Sequence, residues 1–143
     1  MPILDFRPDG YLPEGLHPAS EGEVEERFGR ATPRRRRLVS RVKAWLRLAR
    51  VIGAHRFFVN GSFVTAKPEP GDVDCVCWLP DDFEQQYYSG RLAAVELYEM
   101  LVTRRPEELF GVFTLARWNA WVEFFSRTRE PDGRRKGIVE VTL

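Results

Sequence analysis

Apolar residues recur at three- and four-residue intervals from Leu38 through Val42, Trp45, Leu46 and Ala49 to Ile52, with polar and basic residues between them. That spacing puts the apolar side chains on one face of an α-helix of about five turns. Thr32 offers an N-cap hydroxyl, Pro33 occupies the favoured first helical position, and Gly53 marks the stop. Upstream, Ser20 with Glu23 three residues later is a capping-box pair that opens a short acidic helix ending at Gly29. Before it, Pro2, Pro8, Gly10, Pro13, Gly15 and Pro18 predict an extended arm over residues 1–19, lying on a surface.

After Gly53 the pattern changes to a period of two. Arg56 to Asn60, with Phe57-Phe58-Val59 at its centre, predicts a short strand, and Asp72 to Leu79 predicts a second. In that second strand Val73, Cys75 and Cys77 share one face, and Asp72, Asp74, Val76 and Trp78 share the other. Gly61 to Gly71 connects the two and holds Lys67, Pro68 and Pro70. Pro80-Asp81-Asp82 reads as a strand exit into a helix start. A further helix runs from about Leu92 to Val102, packing Leu92, Val95, Tyr98 and Leu101 or a nearby face. Leu109 to Leu115 fits either a strand or a helix lead-in, and Ala116 to Ser126 fits a helix through Leu115, Trp118, Trp121 or Val122, and Phe125. Pro131-Asp132-Gly133 is a turn, and Ile138 to Leu143 a closing strand. The order predicts a mixed α/β (α+β) fold, one domain over residues 1–143 with a twisted mixed β-sheet packed by helices.

Composition narrows the setting more than the function. With 43% hydrophobic and 30% charged residues among 143, the chain suits one globular core rather than a disordered protein. The net charge of +1 gives no whole-molecule pull toward nucleic acid or membrane, so any electrostatic argument is local. The two cysteines, Cys75 and Cys77, stand two apart on a strand, too close for a favourable disulfide and too few for a structural zinc, and read as buried thiols. No apolar run approaches the ~18 residues of a membrane span, and the first residues lack a basic-then-apolar leader, so a cytoplasmic protein is expected.

Chemistry concentrates between Phe58 and Asp74. Two carboxylates at i and i+2 on a strand project to the same side, roughly 6–7 Å apart at Cβ for a rise of ~3.3 Å per residue. A hard cation such as Mg²⁺ prefers oxygen ligands and leaves positions for water and phosphate, so Asp72 and Asp74 form half of such a site. Gly61-Ser62, directly after the first strand, supplies the other half. A glycine lets phosphate approach the backbone, and the Ser62 hydroxyl and neighbouring N–H groups can donate to it. The plainer alternative is a solvated Asp-x-Asp after a Pro-Gly turn.

The stretch Val59-Asn60-Gly61-Ser62, nine residues, then Asp72-Val73-Asp74 resembles the signature of the DNA polymerase β-like nucleotidyltransferase superfamily, in particular its small bacterial members. A looser likeness to uncharacterised short nucleotidyltransferase-like proteins adds Leu12-Pro13-Glu14-Gly15, Arg34 to Arg37, Gly61 to Lys67 and Lys136-Gly137-Ile138. The resemblance implies that Asp72 and Asp74 ligate one or two Mg²⁺ or Mn²⁺ ions. It further implies that Gly61, Ser62 and Lys67 hold the triphosphate of a nucleoside triphosphate. The implied reaction is in-line attack of an acceptor hydroxyl, on protein, RNA or a small molecule, with release of pyrophosphate. Active members use a third carboxylate from a neighbouring strand. Leu109 to Leu115 contains none, which leaves Glu140 as the third catalytic candidate or, alternatively, an exposed charge on an edge strand. The resemblance also implies a second class of function, a catalytically weakened binding module such as the antitoxin-like half of a toxin–antitoxin pair.

Arg34, Arg35, Arg36 and Arg37 sit at a helix N-terminus, where the macrodipole disfavours cations. They are expected either to pair with the acidic segment Glu21 to Glu26 or to face a phosphate or RNA backbone. His17 and His55 lack spaced partners and read as surface or capping residues. Trp118, Trp121, Phe124 and Phe125 suit core, a partner interface or base stacking.

Overall fold

The computed structural model describes residues 3–103 and 107–143. The first two residues of the expected arm lie outside them. Five strands and five helices follow one another as β1 (Gly15–Ala19), α1 (Glu21–Phe28), α2 (Pro33–Ile52), β2 (Arg56–Asn60), β3 (Val73–Trp78), α3 (Phe83–Tyr88), α4 (Leu92–Val102), β4 (Glu107–Val112), α5 (Leu115–Ser126) and β5 (Gly137–Val141). The strands form one mixed sheet in the order β1-β5-β2-β3-β4, so the fold is mixed α/β as the patterning predicts. β2 runs antiparallel to both β3 and β5, while β1 lies parallel to β5 and β4 parallel to β3.

Local chemistry explains the helix ends. Ser20 caps α1 through the reciprocal capping box with Glu23, Thr32 caps α2 by accepting from the Arg35 N–H, and Gly53 closes α2 in the left-handed region at φ +81°. Thr114 caps α5. Alternation along the strands divides the core in two. Val59, Val73, Cys75, Cys77, Leu109 and Val139 face α1, α2 and α4 in the larger half. On the opposite face Phe58, Val76, Val112 and Ile138 surround Trp118 of α5. Cys75 and Cys77 are buried and unbridged. No helix among the described residues is long and apolar enough to cross a membrane.

Several expectations change. The arm is not merely a surface strap: Leu12 is buried, and Gly15–Ala19 pairs with β5 as an edge strand, which tolerates Pro18 because one side of its backbone needs no partner. His17 is buried in that strand, its Nε2 2.6 Å from the Pro13 carbonyl oxygen, rather than on the surface. α4 buries Ala94 and Leu97, while Leu92 is 76% exposed, so its inner face is rotated from the one expected. The ambiguous stretch begins as a strand two residues earlier than the pattern suggested, at Glu107.

The arginine run is also rearranged. Arg35 turns inward, is buried, and donates to the carbonyls of Phe28 (3.1 Å), Phe63 (2.7 Å), Thr65 (2.9 Å) and Lys67. It therefore meets neither the acidic segment nor any phosphate. Arg34 lies 3.5 Å from Glu69, and Arg36 donates to the Arg30 carbonyl. The cost of a cation at a helix start is offset by main-chain oxygens, and the connection after β2 is fastened to α2 in return.

Candidate functional site

The site grows from the place where β2 ends against the start of β3. Asn60, the last residue of β2, is in register with Asp74, and Gly61 then leaves the strand at φ +91°, ψ −178°. That backbone region is essentially restricted to glycine. A Cβ on Gly61 would also stand 3.1 Å from the Asp72 carbonyl oxygen, the Asp74 nitrogen and the Val73 Cα. The chain can pass this close to the acidic strand only without a side chain.

Ser62 opens a single 3-10 turn and locks Asp72 in place. Its N–H donates to Asp72 Oδ1 at 2.8 Å and its hydroxyl to the same oxygen at 2.6 Å, while the hydroxyl accepts from the N–H groups of Gly71 (3.0 Å) and Asp72 (3.2 Å). The Ser62 hydroxyl expected to cradle phosphate is thus engaged in fixing the carboxylate. Asp72 and Asp74 do line the same cleft, and the charge of Asp72 acts on the Asp74 carboxyl. Lys67 stands exposed on the connection and lines the same cleft.

Glu140, the expected third carboxylate, is engaged elsewhere in the fold. Glu140 is held by Arg56, which donates through Nε at 2.7 Å and Nη2 at 2.6 Å, so both its oxygens are committed to an ion pair. β5 is also an interior strand, between β1 and β2, which removes the edge-strand alternative. Another glutamate stands nearer: Glu108 lies on β4 in parallel register with Asp74, one residue before Leu109. Asn60, Asp74 and Glu108 therefore form a row of oxygen-bearing side chains across β2, β3 and β4.

Electrostatics marks this row. The Asp74 carboxyl is pushed up to about 7, first by burial, then by the charges of Asp72 and Glu108 and the hydrogen bond with Asp72, against the pull of Lys136. Lys136, half-buried immediately before β5, has its ammonium lowered by burial and partly restored by Asp72 and Asp74. Its N–H donates to the Ser126 carbonyl at 2.9 Å, which ties the start of β5 to the end of α5. Asn60 is 2% exposed, and its Oδ1 has no hydrogen-bond partner, an unusual state for a buried amide. Lys136 and Asn60 were not singled out as site residues from the sequence. Asn60 stands in the sequence only as the residue before Gly61-Ser62, and Lys136 only at a Lys-Gly-apolar strand start.

These residues open into a cleft of about 880 Å³ lined by Asn60, Gly61, Ser62, Lys67, Asp72, Asp74 and Lys136 on the sheet side. Tyr11 of the N-terminal arm and the end of α5, with Phe124, Phe125, Arg127 and Arg129, form the facing wall. α5 covers the Phe58 and Trp78 end of the sheet face, where Trp118 packs at 5.1 Å and 6.1 Å from those rings, and leaves the Asp74 end open. Among the described residues, no three Asp, Glu, His or Cys side chains are grouped as a ready-made metal cage. The donors present are carboxylate and amide oxygens without thiol or imidazole, the chemistry that suits Mg²⁺ or Mn²⁺. Repulsion that keeps a proton on Asp74 is what a bound cation would relieve.

A protein-family model described as a family of unknown function (DUF6932) matches residues 4–142. No curated protein and no solved structure matches the chain.

Proposed function

Because the chain belongs to the DUF6932 family, whose function is unknown, we propose from the cleft itself that it is a metal-dependent nucleotidyltransferase, moving a nucleoside monophosphate from a nucleoside triphosphate to an acceptor hydroxyl. The observation that supports it most directly is the register of Asp74 with Glu108, with Asp72 fixed by Ser62 in the same cleft and the Gly61 backbone passing alongside. It also agrees with the resemblance of Gly61-Ser62 and Asp72-Val73-Asp74 to the polymerase β-like superfamily. The reading places the protein in the cytoplasm, in keeping with its two unbridged thiols.

In this reading Asp72, Asp74 and Glu108 hold Mg²⁺ or Mn²⁺, which when bound supplies Lewis-acid stabilisation of phosphoryl oxygens. Ser62 fixes the rotamer of Asp72, and Arg35 fixes the loop that carries Ser62 and Lys67. Gly61 admits the polyphosphate to the backbone, and Lys67 and Lys136 offset its charge. Asp74, which lines the cleft, accepts the proton of the attacking hydroxyl, with Glu108 in register beside it on β4. The bond broken is between the α-phosphorus and its bridging oxygen, and pyrophosphate leaves.

A second reading is a weakened module that binds nucleotide without transferring it, such as the antitoxin-like member of a toxin–antitoxin pair. It is favoured by the absence of a ready three-acid cage among the described residues and by the engagement of the Ser62 hydroxyl with Asp72. Calorimetry with ATP and Mg²⁺ tests both readings: each expects Mg²⁺-dependent binding that Asp74→Asn abolishes, and absence of binding sinks both. Incubation with α-labelled nucleoside triphosphates and candidate acceptors then separates them, because only the transferase yields a labelled product.

A further inference from the structure

The wall opposite the acids has its own chemistry. Residues 127–136 carry five cations and two acids, and the structure pairs only some of them. Arg134 is matched by Asp132 at 2.9 Å and Asp9 at 3.6 Å, and Arg135 by Glu123 at 2.6 Å and Glu14 at 3.1 Å. Arg127 reaches Glu123 only at 3.7 Å, with both side chains more than half exposed, a pairing that neutralises little. Arg129 is exposed and, among the described residues, finds no acid, and neither does Lys67 across the cleft. The wall facing Asp72 and Asp74 therefore carries Arg127 and Arg129, with Lys67 across the cleft, in a molecule whose net charge is only +1.

Aromatic faces stand among these cations. Phe124 is 56% exposed and lines the cleft, in T-shaped contact with Phe125 at 5.2 Å and Trp121 at 5.7 Å, so the ring is supported while much of the residue stays uncovered. Tyr11 lines the same wall, its hydroxyl donating to Glu130 at 3.2 Å. Anchored rings interleaved with unpaired arginine and lysine are what a single-stranded nucleic acid requires, with phosphates tracking the cations and bases stacking on the rings. An acidic peptide would use the cations but gain nothing specific from an exposed phenyl ring. A duplex would keep its bases stacked away from Phe124. The volume, about 880 Å³, lies in the upper part of the ~300–1,000 Å³ typical of a small-ligand site and leaves room for a strand end beside a nucleotide.

We infer that the cleft binds the end of a single-stranded nucleic acid, with Arg127, Arg129 and Lys67 on its phosphates and Phe124 against a base. As the identity of the acceptor this deepens the transferase reading; as a binding property it stands without it. The probe is a 5′-fluorescein 12-nucleotide single strand, as RNA and as DNA, followed by anisotropy against the full chain. Binding is expected to weaken about 20-fold between 50 and 200 mM salt, the dependence for about three phosphate contacts on a single strand. Phe124→Ala and Arg129→Glu, both at exposed positions, are each expected to weaken it at least tenfold with an unchanged thermal midpoint. Preference for RNA over DNA would assign the strand as RNA, and equal binding would assign it by backbone and stacking alone. The inference is overturned by no anisotropy change at about 100 μM protein, the weak end of non-specific affinity. It is overturned equally if a 12-residue polyglutamate competes as well as the strand, or if Phe124→Ala has no effect. Calorimetry with ATP and Mg²⁺ is read separately: nucleotide binding without strand binding removes only this inference, and strand binding without nucleotide binding removes only the transferase reading.

Discussion

Asp74 on β3 and Glu108 on β4 stand side by side in parallel register, and the charge of Glu108 helps hold a proton on Asp74 up to about pH 7. Burial is the larger cause and Asp72 the next. In the proposed reading this row, with Asn60, holds a divalent cation, and its acidity has measurable consequences.

The first concerns pH. In the unfolded chain Asp74 loses its proton near its ordinary value of 3.8, and in the fold near 7, so between those values the folded state holds a proton that the unfolded state has released. Stability from this group is complete below about pH 4 and is lost as pH rises through about 7. Metal-free protein in EDTA should therefore lose thermal stability across that window, and Asp74→Asn should remove this part of the slope. Added Mg²⁺ should recover more stability at pH 8 than at pH 5, because ligation needs the carboxylate. A thermal midpoint that rises steadily with pH in EDTA for the native chain, matched by Asp74→Asn, would contradict this.

The second separates the two glutamates. Glu140→Gln breaks a half-buried bidentate pair with Arg56, whose guanidinium also lies 4.7 Å over the Trp118 ring. It should lower stability by about 1 kcal/mol, or ~3 °C in thermal midpoint, with Mg²⁺ affinity unchanged. Glu108→Gln should do the reverse, weakening Mg²⁺ binding by roughly tenfold or more with little change in the metal-free midpoint. Calorimetric titration of both variants with Mg²⁺ or Mn²⁺ decides the matter, and a loss of affinity confined to Glu140→Gln would return the third carboxylate to β5.

What the chain makes legible is what local rules determine. The capping box at Ser20, the Thr32-Pro33 start, the Gly53 stop and the alternation through β3 depend on neighbours a few residues away. Those rules place Gly61, Ser62, Asp72 and Asp74 correctly beside one another. Strand order is different, because β5 enters the sheet between β1 and β2 through a crossover that no local pattern encodes. Glu108 escaped because the apolar run was started at Leu109, although the alternation of Glu108, Phe110 and Val112 continues the β period one step earlier. Arg35 was hidden inside a charge run, yet it stands three, four and seven residues before Leu38, Val39 and Val42, the spacing of an inward-facing residue.

Arg35 supplies the third prediction. Its guanidinium satisfies four main-chain carbonyls, three of them in the connection that follows Ser62. Arg35→Met keeps the length of the stem but orphans those oxygens, at about 1–3 kcal/mol for each that stays dry. Allowing water to reach some of them, a loss of about 3 kcal/mol in denaturant midpoint analysis is expected. Amide exchange should accelerate first at Phe63 to Lys67, ahead of the β3 core. Arg35→Lys should recover little, because an ammonium cannot span the fork of oxygens that the planar guanidinium reaches. Full stability in Arg35→Lys would show that charge alone suffices there.

The last prediction tests whether the backbone of Gly61 matters as much as the acids. Alanine at this position faces two separate penalties. The φ of +91° with ψ near 180° is open to glycine and closed to side chains, at about 1–3 kcal/mol, and the added methyl would meet three main-chain atoms of Asp72, Val73 and Asp74 at 3.1 Å. Those neighbours are backbone in a paired strand, so they cannot swing aside as a flexible side chain would. β2 and β3 must then separate locally, and the first contacts to lengthen are those from the Ser62 N–H and hydroxyl to Asp72 Oδ1. Gly61→Ala should therefore fold with a loss of about 2–3 kcal/mol and lose Mg²⁺-dependent ATP binding out of proportion to that loss, because Asp72 is released from its fixed rotamer. Gly133, also at positive φ but with open space around it, is the control: Gly133→Ala should show the conformational penalty alone and bind ATP and Mg²⁺ as the native chain does. Equal effects of the two substitutions on binding would mean that close passage of the backbone beside the acids is incidental to the site.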